Sequence, residues 1–297
     1  MTTENKEFGD QKSEDLSPLR YPGAKKSLFP YINKLLFVNN LTPQTIVEPF
    51  VGGASITLHL LHYKIVKKAI ISDVDRLIYS FWHVLFTKHK YLINFIENVS
   101  INVDNYLLYK EIANNHLKYS ENKLAEACIY LNRTSFSGIL NKCSGPIGGL
   151  SQKSKYDISC RFNKRNIIDK INKLSEFQGR ITVLPFDWKE TIRYVNELVA
   201  KGELSNNILY YFDPPFYNKA NKLYRHFFQK EDHVLLSEAI SSLKYPWVLS
   251  YDHCPEIKKM YLKNKTAHIH IPYSINSHSR RKEKEFVILP TSLSYVK

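Results

Sequence analysis

The chain has 297 residues, 43% of them hydrophobic and 24% charged, and can bury a sizeable core in one large domain or two smaller ones. Its 42 Lys and Arg residues exceed its 28 Asp and Glu residues, and the net charge of +14 indicates a polyanionic partner, with nucleic acid ahead of an anionic membrane surface. It contains no apolar run of about 18 residues and no signal-peptide core at its start, so we expect a cytoplasmic protein without membrane spans.

The chain begins with a stretch that is unlike the rest. Residues 1–17 are polar, charged and without periodicity, which predicts a disordered leader. We expect structure from Pro18 onward.

A strand, a turn, a helix and a second strand follow one another near the start of the structured part. Residues 45–50 have the pattern of a buried strand, and Gly52 and Gly53 follow as a turn. Residues 54–63 have helical spacing, and residues 68–73 predict a second strand that ends on an acid. This unit is typical of the start of a doubly wound sheet.

A helical block interrupts this pattern. Residues 76–133 show helical periodicity without a strand signal, and a Gly-, Ser- and Lys-rich segment follows at 135–157. That segment is too long for a simple connection, so we expect it to be functional or mobile. We predict a helical insertion at 77–166 within an α/β domain formed by 18–76 and 167–297.

Strand signals return after the insertion. Strands are predicted at 180–187, 207–213, 246–252, 267–273 and 285–290, with helices at 188–200, 231–243 and 255–263. The fold class is therefore α/β, with a mixed, mainly parallel sheet that a hairpin of the last two strands closes.

Three of the predicted strands end on an acid. Asp73, Asp187 and Asp213 would lie along one edge of the sheet, because the carboxyl ends of parallel strands meet there, beside the glycine turn. An acid after the second strand is the usual partner of ribose hydroxyls, and a glycine turn lets a ligand approach the backbone closely. The pattern predicts an adenosine-containing ligand.

The absence of the common phosphate-binding motifs narrows the choice of ligand. The glycine turn lacks the GxGxxG spacing of dinucleotide sites, and no GxxxxGK[ST] loop is present. A ligand without phosphates fits better, and S-adenosylmethionine offers adenine, ribose and an amino-acid tail. Lys25, after the YPG turn, is the predicted partner of that tail's carboxylate.

The cysteine and histidine spacings predict no metal site. The four cysteines are scattered without a CxxC pair, so we expect reduced thiols. The close pairs His59 with His62 and His268 with His270 lack a third ligand at matching spacing, and we interpret them as structural.

Five motifs in a fixed order carry a resemblance to a known family. They are RYPGAK at 20–25, VEPFVGGA at 47–54, SDVD at 72–75, LNRTSFSG at 131–138 and FDPPF at 212–216. In this order they resemble the Dam-type adenine-specific DNA methyltransferases, over roughly residues 19–289. Two departures are Phe216, where family members more often have tyrosine, and GGA, where many have GAG.

The resemblance implies a Rossmann-like S-adenosylmethionine-dependent methyltransferase core with an inserted helical DNA-recognition domain, and it assigns the site. The implied catalytic residues are Asp213, Pro214, Pro215 and Phe216. The implied cofactor-binding residues are Tyr21, Lys25, Phe50, Gly52, Gly53, Asp73, Phe186, Asp187 and Asp213.

The DPPF motif suits methyl transfer to an adenine amino group. The Asp213 side chain and the Pro214 carbonyl can accept both amino hydrogens, which makes the nitrogen more pyramidal and more nucleophilic. Such a base must be flipped out of the duplex, and Phe216 offers a ring for stacking, worth about 1–3 kcal/mol. No metal is required.

The predicted partner is double-stranded DNA, with a cognate restriction enzyme as a possible second partner. The residues expected to contact DNA are Arg133, Lys153, Lys155, Arg161, Arg165, Arg280 and Arg281. Arg133 has an alternative interpretation as a structural residue that ties its helix to the following loop.

Other functions remain open at this point. Transfer to the amino group of cytosine needs a similar acceptor geometry, and a DNA-binding regulator without catalysis is a second alternative. Methylation of a cytosine ring carbon is disfavoured, because it needs a nucleophilic cysteine and Cys254 lacks a supporting motif. The presence of Lys25, Asp73 and Asp213 argues against an inactive regulator.

Overall fold

The computed structural model describes residues 14–21, 25–218, 223–276 and 279–296, and side chains from 270 to 284 fall outside the described part. The described residues form a seven-stranded sheet with helices packed on both faces. This is the α/β class with the Rossmann-like, mainly parallel sheet that the sequence predicts, and that prediction is confirmed.

The elements are numbered in chain order. The strands are β1 (Thr45–Glu48), β2 (Lys68–Ser72), β3 (Ile181–Leu184), β4 (Ile208–Phe212), β5 (Trp247–Asp252), β6 (Lys265–Asn276) and β7 (Ser279–Leu289). The helices before β3 are α1 (Phe29–Val38), α2 (Ser55–His62), α3 (Arg76–Asn98), α4 (Val103–Asn114), α5 (Glu121–Thr134) and α6 (Lys164–Ser175). The later helices are α7 (Trp188–Ala200), α8 (Lys230–Ser241) and α9 (Pro255–Met260).

The strand order creates a crevice at one edge of the sheet. The order is β3-β2-β1-β4-β5-β7-β6; β1 to β5 run parallel, and β7 pairs antiparallel with both β5 and β6. From β1 the chain first builds outward through β2 and β3, and β4 then returns to the other side of β1. Ligands bind at the carboxyl ends of the strands where the order reverses in this way.

Alternate strand residues build two hydrophobic clusters. Ile46, Leu209 and Tyr211 face the helices α1 to α6, whereas their neighbours Val47 and Tyr210 face α7, α8 and α9. Burial on both faces explains why these strands are almost continuously apolar, since side chains alternate between the faces and neither face meets water.

The helical block predicted between β2 and β3 is present as α3, α4 and α5. Helix α5 packs against both α3 and α4, and α3 also contacts β3 and α6. Side chains cap the starts of all three helices: Asp75 accepts from Leu77 N at 3.0 Å, Asn102 accepts from Asn105 N at 2.8 Å, and Ser120 caps α5.

The segment after α5 is folded onto itself. Ser135 pairs with Pro146 in an isolated bridge, and Ile147 N donates to Thr134 O at 2.8 Å. The side chain of Gln152 donates to Ile147 O at 2.9 Å and accepts from Ile158 N at 2.8 Å. These bonds give a long connection internal structure of its own.

Two helices were absent from the sequence prediction. Both α1 and α6 carry apolar residues at helical spacing, such as Ile167, Ile171 and Leu174 in α6, and these are buried. Helix α6 also begins at Lys164, before the predicted insertion ends at residue 166.

The predicted leader needs a correction at its end. Leu16 and Ser17 are buried, Asp15 lies 2.7 Å from Lys170, and Glu14 lies 2.7 Å from Lys173 on α6. The expectation of disorder is therefore wrong for 14–17, and residues 1–13 lie outside the described part. Among the helices of the described ranges, none combines the length and the apolar character that crossing a membrane requires.

Candidate active site

A cavity of about 290 Å³ opens at the carboxyl ends of β1 to β4, beside the point where the strand order reverses. Much of its lining comes from the carboxyl ends of these four strands and the segments that follow them, and the rest comes from Tyr21, Lys25, Asp232 and residues 224–228. The lining residues include Tyr21, Lys25, Glu48, Phe50, Gly52, Gly53, Asp73, Asp75, Asp187, Tyr211, Asp213, Pro215, Tyr224, Arg225 and Phe228.

The turn after β1 has to be built from glycine. Gly52 has a φ of +41°, and a Cβ there would lie 2.6 Å from the ring of Tyr21, while a Cβ at Gly53 would lie 2.9 Å from Tyr21 Cβ. The absence of a side chain lets Tyr21 lie directly on the turn. Trp82 of α3 fixes the turn from below, because its Nε1 donates to Gly52 O at 2.8 Å.

Asp73 is held by backbone donors next to this turn. Its Oδ2 accepts from Gly52 N at 3.1 Å, and its Oδ1 accepts from Asp75 N at 2.9 Å. Burial, with the nearby Asp75 charge adding to it, raises the pKa of Asp73 to about 7. The acid predicted to bind ribose hydroxyls therefore lies at the cavity wall, close to its ionisation midpoint at neutral pH.

Asp213 follows β4 and has a well-defined hydrogen-bond environment. Its Oδ1 accepts from Ser250 Oγ at 2.8 Å and lies 3.1 Å from Lys25 Nζ. Burial raises the pKa of Asp213, and Lys25 and Ser250 oppose that shift. The carboxylate is thus anchored through one oxygen.

Lys25 has a different partner from the one that the sequence predicts. Its side chain is only 3% exposed, and its Nζ lies 3.3 Å from Glu285 Oε1 as well as beside Asp213. Burial alone would lower the pKa of Lys25, but the charges of Asp213 and Glu285 outweigh it and the pKa is raised. Because β7 inserts next to β5, Glu285 comes to the site, and Lys25 pairs with carboxylates of its own chain.

The DPPF tetrapeptide spans the mouth of the site. Pro214 is buried, Pro215 lines the cavity, and Phe216 is partly exposed. The Phe216 ring centre lies 5.3 Å from Lys25 Nζ and 5.9 Å from the ring centre of Tyr224, which meets it edge-on. Phe216 and Tyr224 therefore lie together near Lys25, which in turn contacts Asp213.

Most of the predicted cofactor-binding residues lie around this one cavity, and Phe186 does not. Its ring packs edge-on against Tyr194 of α7, with centres 5.8 Å apart. The neighbouring Asp187 lines the cavity and also caps α7, accepting from Glu190 N at 2.8 Å. The start of the helix thus directs the two adjacent side chains apart.

Several residues of the site were missed from the sequence. Glu48 is buried at the end of β1, and its Oε2 accepts from Thr57 N at 3.3 Å. Burial raises its pKa to about 8, although the bonds from Thr57 oppose the shift. Its place at a strand end beside the glycine turn was a usable signal, whereas no local pattern marks Ser250 or Glu285.

The LNRTSFSG motif holds the first segment of the chain in place. Asn132 accepts from Arg20 N at 2.7 Å and donates to Arg20 O at 3.0 Å. A Cβ at Gly138, which has a φ of +73°, would lie 2.1 Å from the same carbonyl oxygen. Two motifs that are over 100 residues apart therefore meet directly at Arg20.

The prediction that Arg133 contacts DNA needs a correction. Arg133 is buried, its Nε donates to Pro18 O at 2.7 Å, and Nη2 donates to the same oxygen. Burial lowers the pKa of Arg133 to about 10. Its guanidinium is thus a structural tie, which is the alternative interpretation given above.

The other predicted DNA contacts differ in how far the structure describes them. Lys153, Lys155, Arg161 and Arg165 are all exposed. Arg280 and Arg281 belong to β7, where their side chains lie outside the described part.

Within the described ranges no cluster of three or more His, Cys, Asp or Glu side chains has the arrangement of a metal site. His59 is buried and both of its ring nitrogens contact backbone oxygens, of Ser55 at 2.6 Å and of Glu14 at 3.0 Å. All four cysteines are free thiols.

Comparison with known proteins identifies a family of enzymes. Residues 21–275 match the family model of the D12 class N6 adenine-specific DNA methyltransferases. No curated protein matches the chain. The family match covers the glycine turn, the helical block and the strand that leads to Asp213.

Proposed function

We propose that the chain, which belongs to the D12 class N6 adenine-specific DNA methyltransferase family, uses S-adenosylmethionine as its methyl donor. In this proposal the methyl group goes to an adenine that is flipped out of the duplex and lies within a specific DNA sequence. Membership makes the chain an enzyme that methylates adenine in DNA. The donor, the flipped state of the base and the site specificity are the proposed parts.

The charge of the cavity carries the donor proposal. Although the chain has a net charge of +14, the cavity lining holds six Asp and Glu side chains against three Lys and Arg side chains. An acidic cavity repels phosphates and favours a cationic ligand. S-adenosylmethionine has a sulfonium and an ammonium group and no phosphate, and the turn at Gly52 leaves room for close approach to the backbone.

Specific side chains would hold this donor. Asp73 would accept hydrogen bonds from the ribose hydroxyls, and the rings of Tyr21 and Phe50 offer apolar walls. Asp213 supplies negative charge for the cationic end, and Glu48, whose pKa of about 8 leaves it largely protonated at neutral pH, would add to it as the pH rises. The sequence prediction had not given this role to Glu48.

The chain's own groups would activate the adenine amino group. Asp213 would accept a hydrogen bond from one amino N–H, and the Pro214 carbonyl would accept one from the other. With both hydrogens held in this way, the nitrogen lone pair is less delocalised into the ring. When bound, the donor supplies an electrophilic methyl group. Lys25 and Ser250 favour the ionised form of Asp213, which accepts hydrogen bonds better than the protonated acid.

Access to the amino group requires the base to leave the duplex, because this nitrogen is paired inside it. Phe216, partly exposed next to Asp213, is placed to stack on a base that enters the site. Exposed Lys153, Lys155, Arg161 and Arg165 would contact the phosphates of the flanking DNA.

A transfer assay tests this function. The protein is incubated with S-adenosylmethionine labelled in its methyl group and with unmethylated duplex DNA, and the DNA is then hydrolysed to nucleosides. We expect label in N6-methyladenine. Label in N4-methylcytosine would instead establish the cytosine alternative, and no label despite donor and DNA binding would establish an inactive regulator.

Sequencing of the modified DNA extends the same experiment. Site-specific transfer predicts methylated adenines within one short sequence, which is also the sequence that a partner restriction enzyme would cleave. Methylation scattered over all sequence contexts would contradict the specificity, although not the transfer itself.

A further inference from the structure

Two buried hydroxyl groups, of Tyr211 and Ser250, are hydrogen-bonded in series to Asp213. Tyr211 Oη lies 2.8 Å from Ser250 Oγ, and Ser250 Oγ lies 2.8 Å from Asp213 Oδ1. Tyr211 is 1% exposed and Ser250 is fully buried. They come from adjacent parallel strands, β4 and β5, so that the sheet itself fixes their distance.

The direction of the two hydrogen bonds follows from counting protons. An ionised carboxylate only accepts hydrogen bonds, so Ser250 has to use its single proton to donate to Asp213. Tyr211 must then donate its own proton to Ser250 Oγ. Without Tyr211, the Ser250 hydroxyl would be able to rotate towards the carbonyl oxygen of Phe212, which lies 3.5 Å away.

The two oxygens of Asp213 have different surroundings. Both Ser250 and Lys25 contact Oδ1, and Glu285 lies on the far side of Lys25 at 3.3 Å. The hydrogen bond from Ser250 and the closest contact of Lys25 both lie at Oδ1 and not at Oδ2. The side chain as a whole is 23% exposed and lines the cavity, which gives a ligand access to it.

We propose that Ser250, oriented by Tyr211, is a positioning residue for methyl transfer that holds Asp213 Oδ1 so that Oδ2 faces the adenine amino group. This inference rests on the proposed function. Ser250 does not touch the substrate in this scheme and acts through the orientation of Asp213. Two donors at Oδ1 keep the carboxylate from turning away from the base. Its reacting geometry is therefore set before the base arrives.

The first test is the single-turnover methylation rate at saturating donor and DNA. Ser250→Ala should slow it about ten- to a hundredfold, which is the scale for losing a hydrogen bond to a charged group in the transition state. Dissociation constants for S-adenosylmethionine and for the duplex should stay within about threefold, because Ser250 contacts neither. Ser237→Ala is the matched control, since Ser237 is also buried but bonds to Val234 O in α8.

The second test is a double-mutant cycle. Tyr211→Phe should slow the reaction about three- to tenfold. The double variant should be no more than about twofold slower than Ser250→Ala, because the hydroxyl that Tyr211→Phe removes bonds to Ser250. Losses that multiply would show two independent effects and overturn the inference. An unchanged rate in Ser250→Ala would overturn it as well.

Controls separate the possible failures. If wild type transfers no methyl group, the proposed function fails and not this inference. If Ser250→Ala does not fold, as circular dichroism would show, Tyr211→Phe decides alone: a slower rate with unchanged binding supports the relay, and a wild-type rate overturns it.

Discussion

Asp213 is the residue on which the chemistry of the proposed reaction depends. Asp213→Ala should abolish methylation and leave donor and DNA binding within about tenfold, because truncation removes a contact that strengthens in the transition state. Rates are measured under single-turnover conditions and binding by calorimetry. The matched control is Asp169→Ala, which removes an exposed carboxylate on α6 far along the chain from the site.

A variant at position 213 that still turns over near the wild-type rate would remove Asp213 from the mechanism. A variant that loses donor binding instead would make Asp213 a ligand for the donor's cationic end. The two results lead to different assignments for the same cavity wall.

Asp73 gives donor binding a pH dependence. Its pKa of about 7 lies above the ordinary value of 3.8, so the group becomes ionised only as the pH rises through 7. An ionised Asp73 is the better acceptor for hydroxyls and attracts a cationic ligand. We expect S-adenosylmethionine to bind more tightly at pH 8 than at pH 6, and Asp73→Asn to weaken binding at pH 8 about ten- to a hundredfold.

Calorimetry at both pH values tests this dependence. Asp73→Asn should show a smaller change between pH 6 and 8 than wild type, with any remaining change due to Glu48, whose pKa is about 8, and Glu285, whose pKa is about 7. Equal pH dependence in wild type and in Asp73→Asn would contradict the role of Asp73.

At the scale of elements, residues 224–228 form a strap along one side of the cavity. Arg225 ties this strap to the helical block: its Nε lies 3.3 Å from Asp75 Oδ2, and its Nη2 donates to Ala113 O at the end of α4 at 3.0 Å. The side chain is 8% exposed. One guanidinium therefore links the cavity wall, the start of α3 and the end of α4.

Arg225→Ala should loosen the strap and weaken donor binding about tenfold, with the protein still folded. Arg225→Lys should restore little, since a single ammonium cannot contact Asp75 and the Ala113 carbonyl in the geometry of a planar fork. Donor affinity by calorimetry is the measurement, with Lys230→Ala as the exposed basic control at the start of α8. Wild-type affinity in Arg225→Ala would mean that the strap holds without this tie.

At the scale of the whole molecule, positive surface charge and an acidic cavity serve different partners. The exposed residues Lys155 and Arg161 should contact phosphates, so neutralising either one should weaken binding to cognate and scrambled duplexes alike. The slope of log affinity against log salt should fall by about one unit for each. Binding across a salt series measures both effects.

Arg133→Ala provides the contrast within the same region of the sequence. It removes a buried tie to Pro18, so it should lower the melting temperature and leave the salt slope unchanged. A loss confined to cognate DNA at an unchanged melting temperature would restore Arg133 as a residue that reads bases. A wild-type salt slope in both exposed variants would place the DNA on another face.

The sequence alone determined which segments form the strands, the glycine turn and the convergence of Asp73, Asp187 and Asp213. These features follow from local rules: buried parallel strands are continuously apolar, and their carboxyl ends share one edge of the sheet. The family resemblance rested on the same segments, and the family match confirms it. Helix α6 was predictable in principle, because its apolar spacing is as regular as that of the helices that were predicted.

Only the tertiary structure decided the partners of the buried charged groups. Lys25 faces Glu285 because β7 inserts between β5 and β6, and Ser250 reaches Asp213 because β5 pairs with β4 in a particular register. Arg133 turns inward because the carbonyl of Pro18 lies against α5. Such pairings join residues that are far apart in the chain, and a buried charge is stable only when the packed fold supplies its partner, so no local sequence pattern can encode them.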